Sequence, residues 1–419
     1  MPQHNALRPF DQSACQRHAG MRDFGVSAEI CGEESQTMPM RRIVSALLLP
    51  GLTFQGVLIG GGYATGRELI EFFLRYGPRA AILGALLSMV LMSIVLAYTF
   101  EFARMTRCYD YNSFFEQLLG PCRFVFEVAF LALNTLVLAV TSAAAGALLA
   151  ESFGVPAWAG TFLLCVVTAI FLYLGGRAVE RLFLYWSPLL ILTYVIFLGV
   201  ALVRFDSEIA NSFAAHSTVG GAAWIVGAIA YTGYNVVIGP AVLFSLNHVE
   251  TRAQALWSGV LAGPIAMLPA LFFIAALVAL YPAVVDAAIP SERLLAALHT
   301  PILRALFLIA VFGTLVQTAV GVTKAISDRL ELAIGERRGR PVLAGGRLLI
   351  GLGLLGGSIV VAQGVGLVDL IGRGYGTLAW VFVAVYIVPI LTFGAWRVHK
   401  RSGARASVTG VSAIEARGK

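Results

Sequence analysis

The densest chemistry in this sequence is the run Gly60-Gly61-Gly62-Tyr63-Ala64-Thr65-Gly66-Arg67-Glu68. Four glycines so close together make a continuous helix costly, at about 1 kcal/mol each relative to alanine. An unwound stretch frees backbone N–H and C=O groups. Inside a bilayer these must be satisfied by protein, water, an ion or a solute. A half-helix restarting near Thr65 offers N–H groups and the positive end of its dipole to an anion such as a carboxylate. The upstream half ends in free carbonyls from Gly56 to Ile59, which suit a cation. The structural alternative for the glycines is close packing of helices through small residues. Glu68 follows the break directly and is the carboxylate there without an obvious basic partner nearby in sequence. It is read either as a proton-coupling group or as one half of a pair across helices. Glu71 has Arg67 and Arg75 four residues away on either side, Glu101 has Arg104 three residues on, and Glu127 has Arg123 four residues back. Those three read as structural pairs.

A second group is Tyr231-Thr232-Gly233-Tyr234-Asn235, followed by Gly239-Pro240. Pro240 donates no backbone hydrogen bond and loosens the ladder about one turn upstream. Tyr231, Tyr234 and Asn235 offer hydroxyl and amide contacts or an aromatic lid. An ordinary proline kink is the plain alternative. A third group is Thr314, Gln317, Thr318 and Gly321, whose spacings of three and four share one helix face. Their oxygens, set against the carbonyls of the first break, would hold Na⁺. Interhelical hydrogen bonding explains the same residues without an ion. Asn134, the most polar residue of its apolar run, is a further candidate for solute contact.

These groups need helices to position them. About 20 apolar residues cross a bilayer, and ten candidate spans follow: 43–75 (interrupted), 79–103, 123–150, 157–175, 183–203, 218–247 (interrupted), 254–281, 302–325, 342–362 and 376–397. Two amphipathic segments read as interfacial helices. One starts at Ser113 with Glu116 three residues later, a capping-box spacing. The other follows Pro290. Residues 1–39 are polar and read as a cytoplasmic tail, with a start at Met38 or Met40 as the alternative. Residues 399–419 read as a second cytoplasmic tail. Most of the 30 lysines and arginines fall in the tails and in the loops on the same side as the tails. That bias places both termini in the cytoplasm of a bacterial-type inner membrane.

Composition agrees. Of 419 residues, 58% are hydrophobic and 13% charged, and 44 are glycine. A soluble domain carries about 25% charged residues, so an ordinary cytosolic enzyme and a nucleic-acid binder are excluded. The net charge of +7 has a topological explanation and needs no nucleic acid. All six histidines fall in tails, loops or span ends, and no HExxH, paired-aspartate or phosphate-loop motif occurs. No catalytic residue and no resident cofactor are expected. Na⁺ or H⁺ enters only as a coupling ion.

The spans divide into residues 43–203 and 218–397, five in each. Five is odd, so the second half is inverted relative to the first. Each half opens on an interrupted span, the sequence pattern that points to a secondary-transporter site. The run from Gly60 to Glu68, continuing to Phe72-Phe73, resembles the GxGxATGxE…FF signature of the YkvI-like membrane proteins. These sit in the wider amino acid–polyamine–organocation superfamily. Tyr234-Asn235 and Gly374-Tyr375-Gly376, placed before the tenth span, extend the resemblance over about residues 43–397. It implies an all-α LeuT-type fold with discontinuous first and sixth helices. It also implies a solute between the first, third, sixth and eighth helices, and a cation between the first and eighth. Where many sodium-coupled relatives have two adjacent hydroxyl residues, Thr318 is followed by Ala319. The expected function is ion-coupled, alternating-access transport of a small solute, an amino acid or related zwitterion or amine. A ligand-sensing receptor on the same fold is the alternative.

Overall fold

The computed structural model describes residues 38–338 and 344–400, with side-chain surroundings given for most of residues 43–327 and 351–400. The two expected tails fall outside the described residues, apart from Met38-Pro39 and His399-Lys400. The chain divides into Met1–Arg41 and Arg42–Lys419, and the helices below belong to the second unit save the first turn of α1.

The regular elements among the described residues are all helical. In order they are α1 (Met38–Leu58), α2 (Gly61–Thr65), α3 (Arg67–Phe72), α4 (Pro78–Thr106), α5 (Tyr111–Leu119), α6 (Arg123–Phe153), α7 (Ala157–Leu174) and α8 (Gly176–Arg204). There follow α9 (Asp206–Ala215), α10 (Ala223–Asn235), a 3₁₀ stretch (Val236–His248), α11 (Arg252–Val278), α12 (Pro290–Leu298), α13 (Pro301–Arg338) and α14 (Ala344–Val365). The last, α15 (Leu367–Lys400), contains three π-helical stretches. Eight described helices are long and apolar enough to cross a membrane. With the broken α1–α3 and with α14, they give about ten spanning segments in the predicted order. Bulky apolar side chains such as Phe124, Phe162, Leu184 and Val203 point outward. A continuous apolar surface on helices of this length is what a bilayer covers.

Ends and crossings follow from residue type. Pro78 opens α4 at a position where its missing N–H costs nothing. Thr251 caps α11 in a full capping box with Gln254. We expect Thr251→Ala to lower stability by about 1 kcal/mol, read as a small drop in the thermal midpoint of the purified protein. The interfacial helix expected from Ser113 begins two residues earlier. Its cap is Asp110, whose carboxylate accepts from the Ser113 N–H at 3.0 Å. Ser113 is itself the third helical residue, so it cannot be the cap. The second short amphipathic helix, expected after Pro290, takes Pro290 in as its first residue.

Helices cross most closely where glycine lets them. A Cβ on Gly259 of α11 would lie 2.3 Å from the Ala97 backbone of α4, and one on Gly263 would lie 2.5 Å from the Met89 carbonyl. The same device joins α6 to α7, where Gly160 meets the Ala145 backbone and the Thr161 hydroxyl donates to the Ser142 carbonyl. Without a hydrophobic drive between helices in lipid, this close approach is a main source of packing energy.

Three expectations are corrected here. The Tyr231–Asn235 segment is regular helix, and the irregular backbone begins after it. Pro240 and Gly239 lie inside the 3₁₀ stretch, because the missing donor acts on backbone already past Asn235. Gly374-Tyr375-Gly376 lies inside α15 rather than before it, with Gly374 pressed on Leu136 of α6. Arg123 reaches Glu116 at 3.4 Å instead of Glu127, since α5 packs closely enough for the cross-helix contact.

Candidate functional site

The first break is a tight double interruption. Helix α1 ends at Leu58, and Gly60 N–H donates back to the Leu58 carbonyl at 2.7 Å. The single turn α2 follows. Gly66 then adopts φ +79°, a left-handed conformation that glycine takes without strain, and α3 begins at Arg67. A side chain at Gly66 would also strike the Phe273 ring, at 2.9 Å.

This geometry folds Glu68 back over the break. Its carboxylate lies against Gly62, so closely that a Cβ there would sit 1.9 Å from Oε1. The other oxygen accepts a hydrogen bond from the Tyr234 hydroxyl of α10 at 2.6 Å. Glu68 is buried, and among the described residues no basic side chain pairs with it. Arg67, its neighbour, is turned away. Arg67 donates to the Val285 carbonyl at 2.6 Å, to the Ala287 carbonyl at 3.0 Å and to Glu71 at 2.9 Å. Glu71 also binds Arg75. The expected Arg67–Glu71–Arg75 and Glu101–Arg104 pairs are therefore present.

Aromatic rings enclose the Glu68–Tyr234 bond. Tyr375 of α15 stacks on Tyr234 at 4.8 Å between ring centres. Phe72 lies 5.3 Å from Tyr234 and 5.8 Å from Tyr231, and Phe73 lies 4.7 Å from Tyr231. The hydroxyls of Tyr63 and Tyr231 are buried with no hydrogen-bond partner. Unpaired buried hydroxyls cost free energy, so each needs a reason. Phe72 also lines a cavity of about 480 Å³, together with Glu71, Arg75, Arg373 and Trp380.

The other candidate residues separate into those near the break and those away from it. Thr318 of α13 approaches Gly60, with its hydroxyl oxygen 3.9 Å from where a Cβ would stand. Gly61 meets Leu315 of α13 and the Thr141 hydroxyl of α6. The Ala64 carbonyl accepts from the Tyr194 hydroxyl of α8, and Thr65 bonds back to Gly62 at 2.9 Å. Ile59 continues the α1 ladder to Gln55.

Gly56 faces outward with nothing within 4 Å. Asn134 donates to the Phe130 carbonyl of its own helix at 2.7 Å, Thr232 to Ala228 and Asn235 to Tyr231. Gly233 is a contact point for Ala379 of α15. On α13, Thr314 bonds back to Ala310, Gln317 donates to Ser187 of α8 at 3.0 Å, and Gly321 faces Phe183. Of that group, the structure brings Thr318 to the first break. Sequence reasoning missed Tyr194, since an isolated aromatic in an apolar run carries no local signal. Phe72 and Tyr375 were within quoted motifs but not assigned to the site.

Comparison with known proteins follows the same lines. No family model matches the chain. A protein of Bacillus subtilis (strain 168) called uncharacterized membrane protein YkvI is 25% identical over 211 residues. The match covers 50% of this chain and spans 60% of that relative's length. Among solved structures, a Na⁺-coupled sialic acid symporter in a substrate-bound outward-open state is similar with TM-score 0.52 and 14% identity. That match covers 84% of this chain and 86% of the symporter. MhsT in complex with L-phenylalanine is similar with TM-score 0.51 and 14% identity, covering 83% of this chain and 96% of MhsT. The inward-facing conformation of Mhp1 gives TM-score 0.50 and 13% identity, covering 83% of this chain and 76% of Mhp1. The fold is the all-α LeuT-type fold of a multi-pass membrane protein, and the resemblance to YkvI extends to sequence.

Proposed function

We propose that the chain is a secondary active transporter of a small solute, an amino acid or related zwitterion or amine, working by ion-coupled alternating access. One observation carries this reading. The two interrupted segments of a 5+5 fold meet at a buried polar centre, where Glu68 of the first holds Tyr234 of the second. Discontinuous helices meeting near the middle of the membrane are how such folds build solute sites. The fold shared with a Na⁺-coupled sialic acid symporter supports the class. Two places suit a coupling ion. Na⁺ fits between the carbonyl end of α1 and Thr318, and H⁺ fits on Glu68. The excess of basic residues in the tails and their loops favours cytoplasmic termini in an inner membrane. Nucleic acid has no part in this reading, and neither does catalysis.

Uptake into proteoliposomes tests it. Labelled amino acids and amines should accumulate saturably when a Na⁺ or pH gradient is imposed, and ionophores should abolish the accumulation. Ligand-dependent stabilisation of the purified protein without any uptake would instead establish a receptor on a transporter fold.

A further inference from the structure

The buried centre has a charge character that narrows the solute. The turn expected to cradle a solute's carboxylate already lies beside a carboxylate of the chain itself. Glu68 presses on Gly62, between the two halves of the break. A second carboxylate placed there would face Glu68 across a few ångströms of low-dielectric interior, where like charges repel strongly. A cation would be drawn in.

The walls suit a cation as well. Tyr231, Tyr234, Tyr375 and Phe72 present a cluster of ring faces and edges, and rings of this kind attract ammonium groups. The titratable groups that bear on Glu68 are the phenols Tyr63 on α2, Tyr231 and Tyr234 on α10, and Tyr375 on α15. On its own helix, Arg67 donates to Glu71 and to the Val285 and Ala287 carbonyls, and Glu71 also pairs with Arg75. From α11 the neighbour at the break is the apolar Phe273. No basic side chain neutralises Glu68 among the described residues. The Tyr63 and Tyr231 hydroxyls are free acceptors.

From this arrangement, and resting on the transport-site reading above, we infer that the solute is a primary or secondary ammonium ion. It binds Glu68 by replacing the Tyr234 hydroxyl as the donor to the carboxylate, with the aromatic rings around it. Its N–H groups donate to the carboxylate and to the unpaired tyrosine oxygens. A quaternary ammonium has no N–H to give them and binds more weakly. A proton on Glu68 is the rival occupant, so ammonium and proton exclude each other at one carboxyl. Such exclusion makes the pair exchange across the membrane rather than travel together.

Titration calorimetry on the detergent-purified full chain tests the inference with four probes of similar size: n-propylammonium, tetramethylammonium, propionate and alanine. Propylammonium should bind saturably, and tetramethylammonium at least about tenfold more weakly. Its affinity should rise with pH, and binding should release protons into the buffer. Glu68→Gln should abolish binding. Should that variant misfold, Tyr234→Phe serves instead. It frees the carboxylate of its competing donor and should tighten propylammonium several-fold, whereas a purely structural Tyr234 would leave affinity unchanged. Tight binding of propionate or alanine with none of propylammonium overturns the inference while leaving a transporter of anions or zwitterions standing. Binding of propylammonium without flux in proteoliposomes overturns the transport reading and leaves the ligand class intact. Binding unaffected by pH overturns the exclusion of proton by ammonium.

Discussion

Gly62→Ala is expected to cut uptake by about ten- to a hundredfold while the helices stay folded. The reason is the position of the added methyl. It would stand 1.9 Å from Glu68 Oε1 and 2.7 Å from the carboxyl carbon. Those atoms end a flexible side chain, so the backbone need not move. Glu68 must swing away, and its 2.6 Å bond to Tyr234 breaks. A hydrogen bond to a charged group contributes about 1.5–3 kcal/mol, and the better helix propensity of alanine returns about 1 kcal/mol. Stability should therefore fall by only about 1 kcal/mol. The site loses its acceptor in the working position, and the same 1.5–3 kcal/mol removed from solute binding is about ten- to a hundredfold in affinity. Uptake in proteoliposomes and thermal unfolding of the same preparation check the two halves together. Unchanged uptake would mean that the carboxyl position against Gly62 has no part in transport.

The fold was legible because its signals are long. Runs of about 20 apolar residues, glycine clusters and basic loops each extend over many positions, and small errors at the ends do not disturb them. Span order and the first break are found where the sequence reading placed them, and both short amphipathic helices are present, with starts shifted by one or two residues. Local chemistry was harder to read. The expected cap at Ser113 lost to Asp110, which offers a carboxylate three residues upstream. Glu68 was singled out as unpaired in sequence, but its partner Tyr234 lies 166 positions away. Periodicity cannot reveal such a partner.

The face shared by Thr314, Gln317, Thr318 and Gly321 was also real, yet α13 is wedged between α8 and the first break. Neighbours on one face therefore serve different helices: Gln317 turns to Ser187, Gly321 to Phe183 and Thr318 to Gly60. Polar residues such as Asn134 and Asn235 satisfy their amides on their own helix. Back-bonding of this kind is open to any such residue in a membrane helix, so residue type alone does not separate a site amide from a structural one.

Gly259→Val should act on the fold instead. A Cβ at Gly259 would lie 2.3 Å from both the N and Cα of Ala97 and 2.6 Å from the Leu96 carbonyl carbon. These are backbone atoms in the middle of α4, and no rotamer change can relieve the clash. The helices must part, and parting also pulls Gly263 from the Met89 carbonyl and strains the Ser93 hydroxyl bond to Val260 at 2.9 Å. Overpacking in a close-fitted interior costs about 1–3 kcal/mol and sometimes more. The clash here is with backbone, and valine adds two methyls beyond the Cβ, so the upper end of that range is expected. The thermal midpoint of the purified protein should drop markedly and yield should fall with it. Gly56→Val is the matched control, because that position faces outward with nothing within 4 Å. Its stability should change by less than about 1 kcal/mol, the propensity difference between glycine and a β-branched residue being small. If Gly259→Val were as stable as Gly56→Val, close backbone approach between α4 and α11 could not be what holds that crossing. The contrast with Gly62→Ala is the sharper test. Both add bulk at a glycine in a tight place, but one meets a side chain that can move and the other a backbone that cannot. Loss of uptake with the fold retained in the first, and loss of the fold in the second, would separate the glycines that shape the site from those that let helices touch.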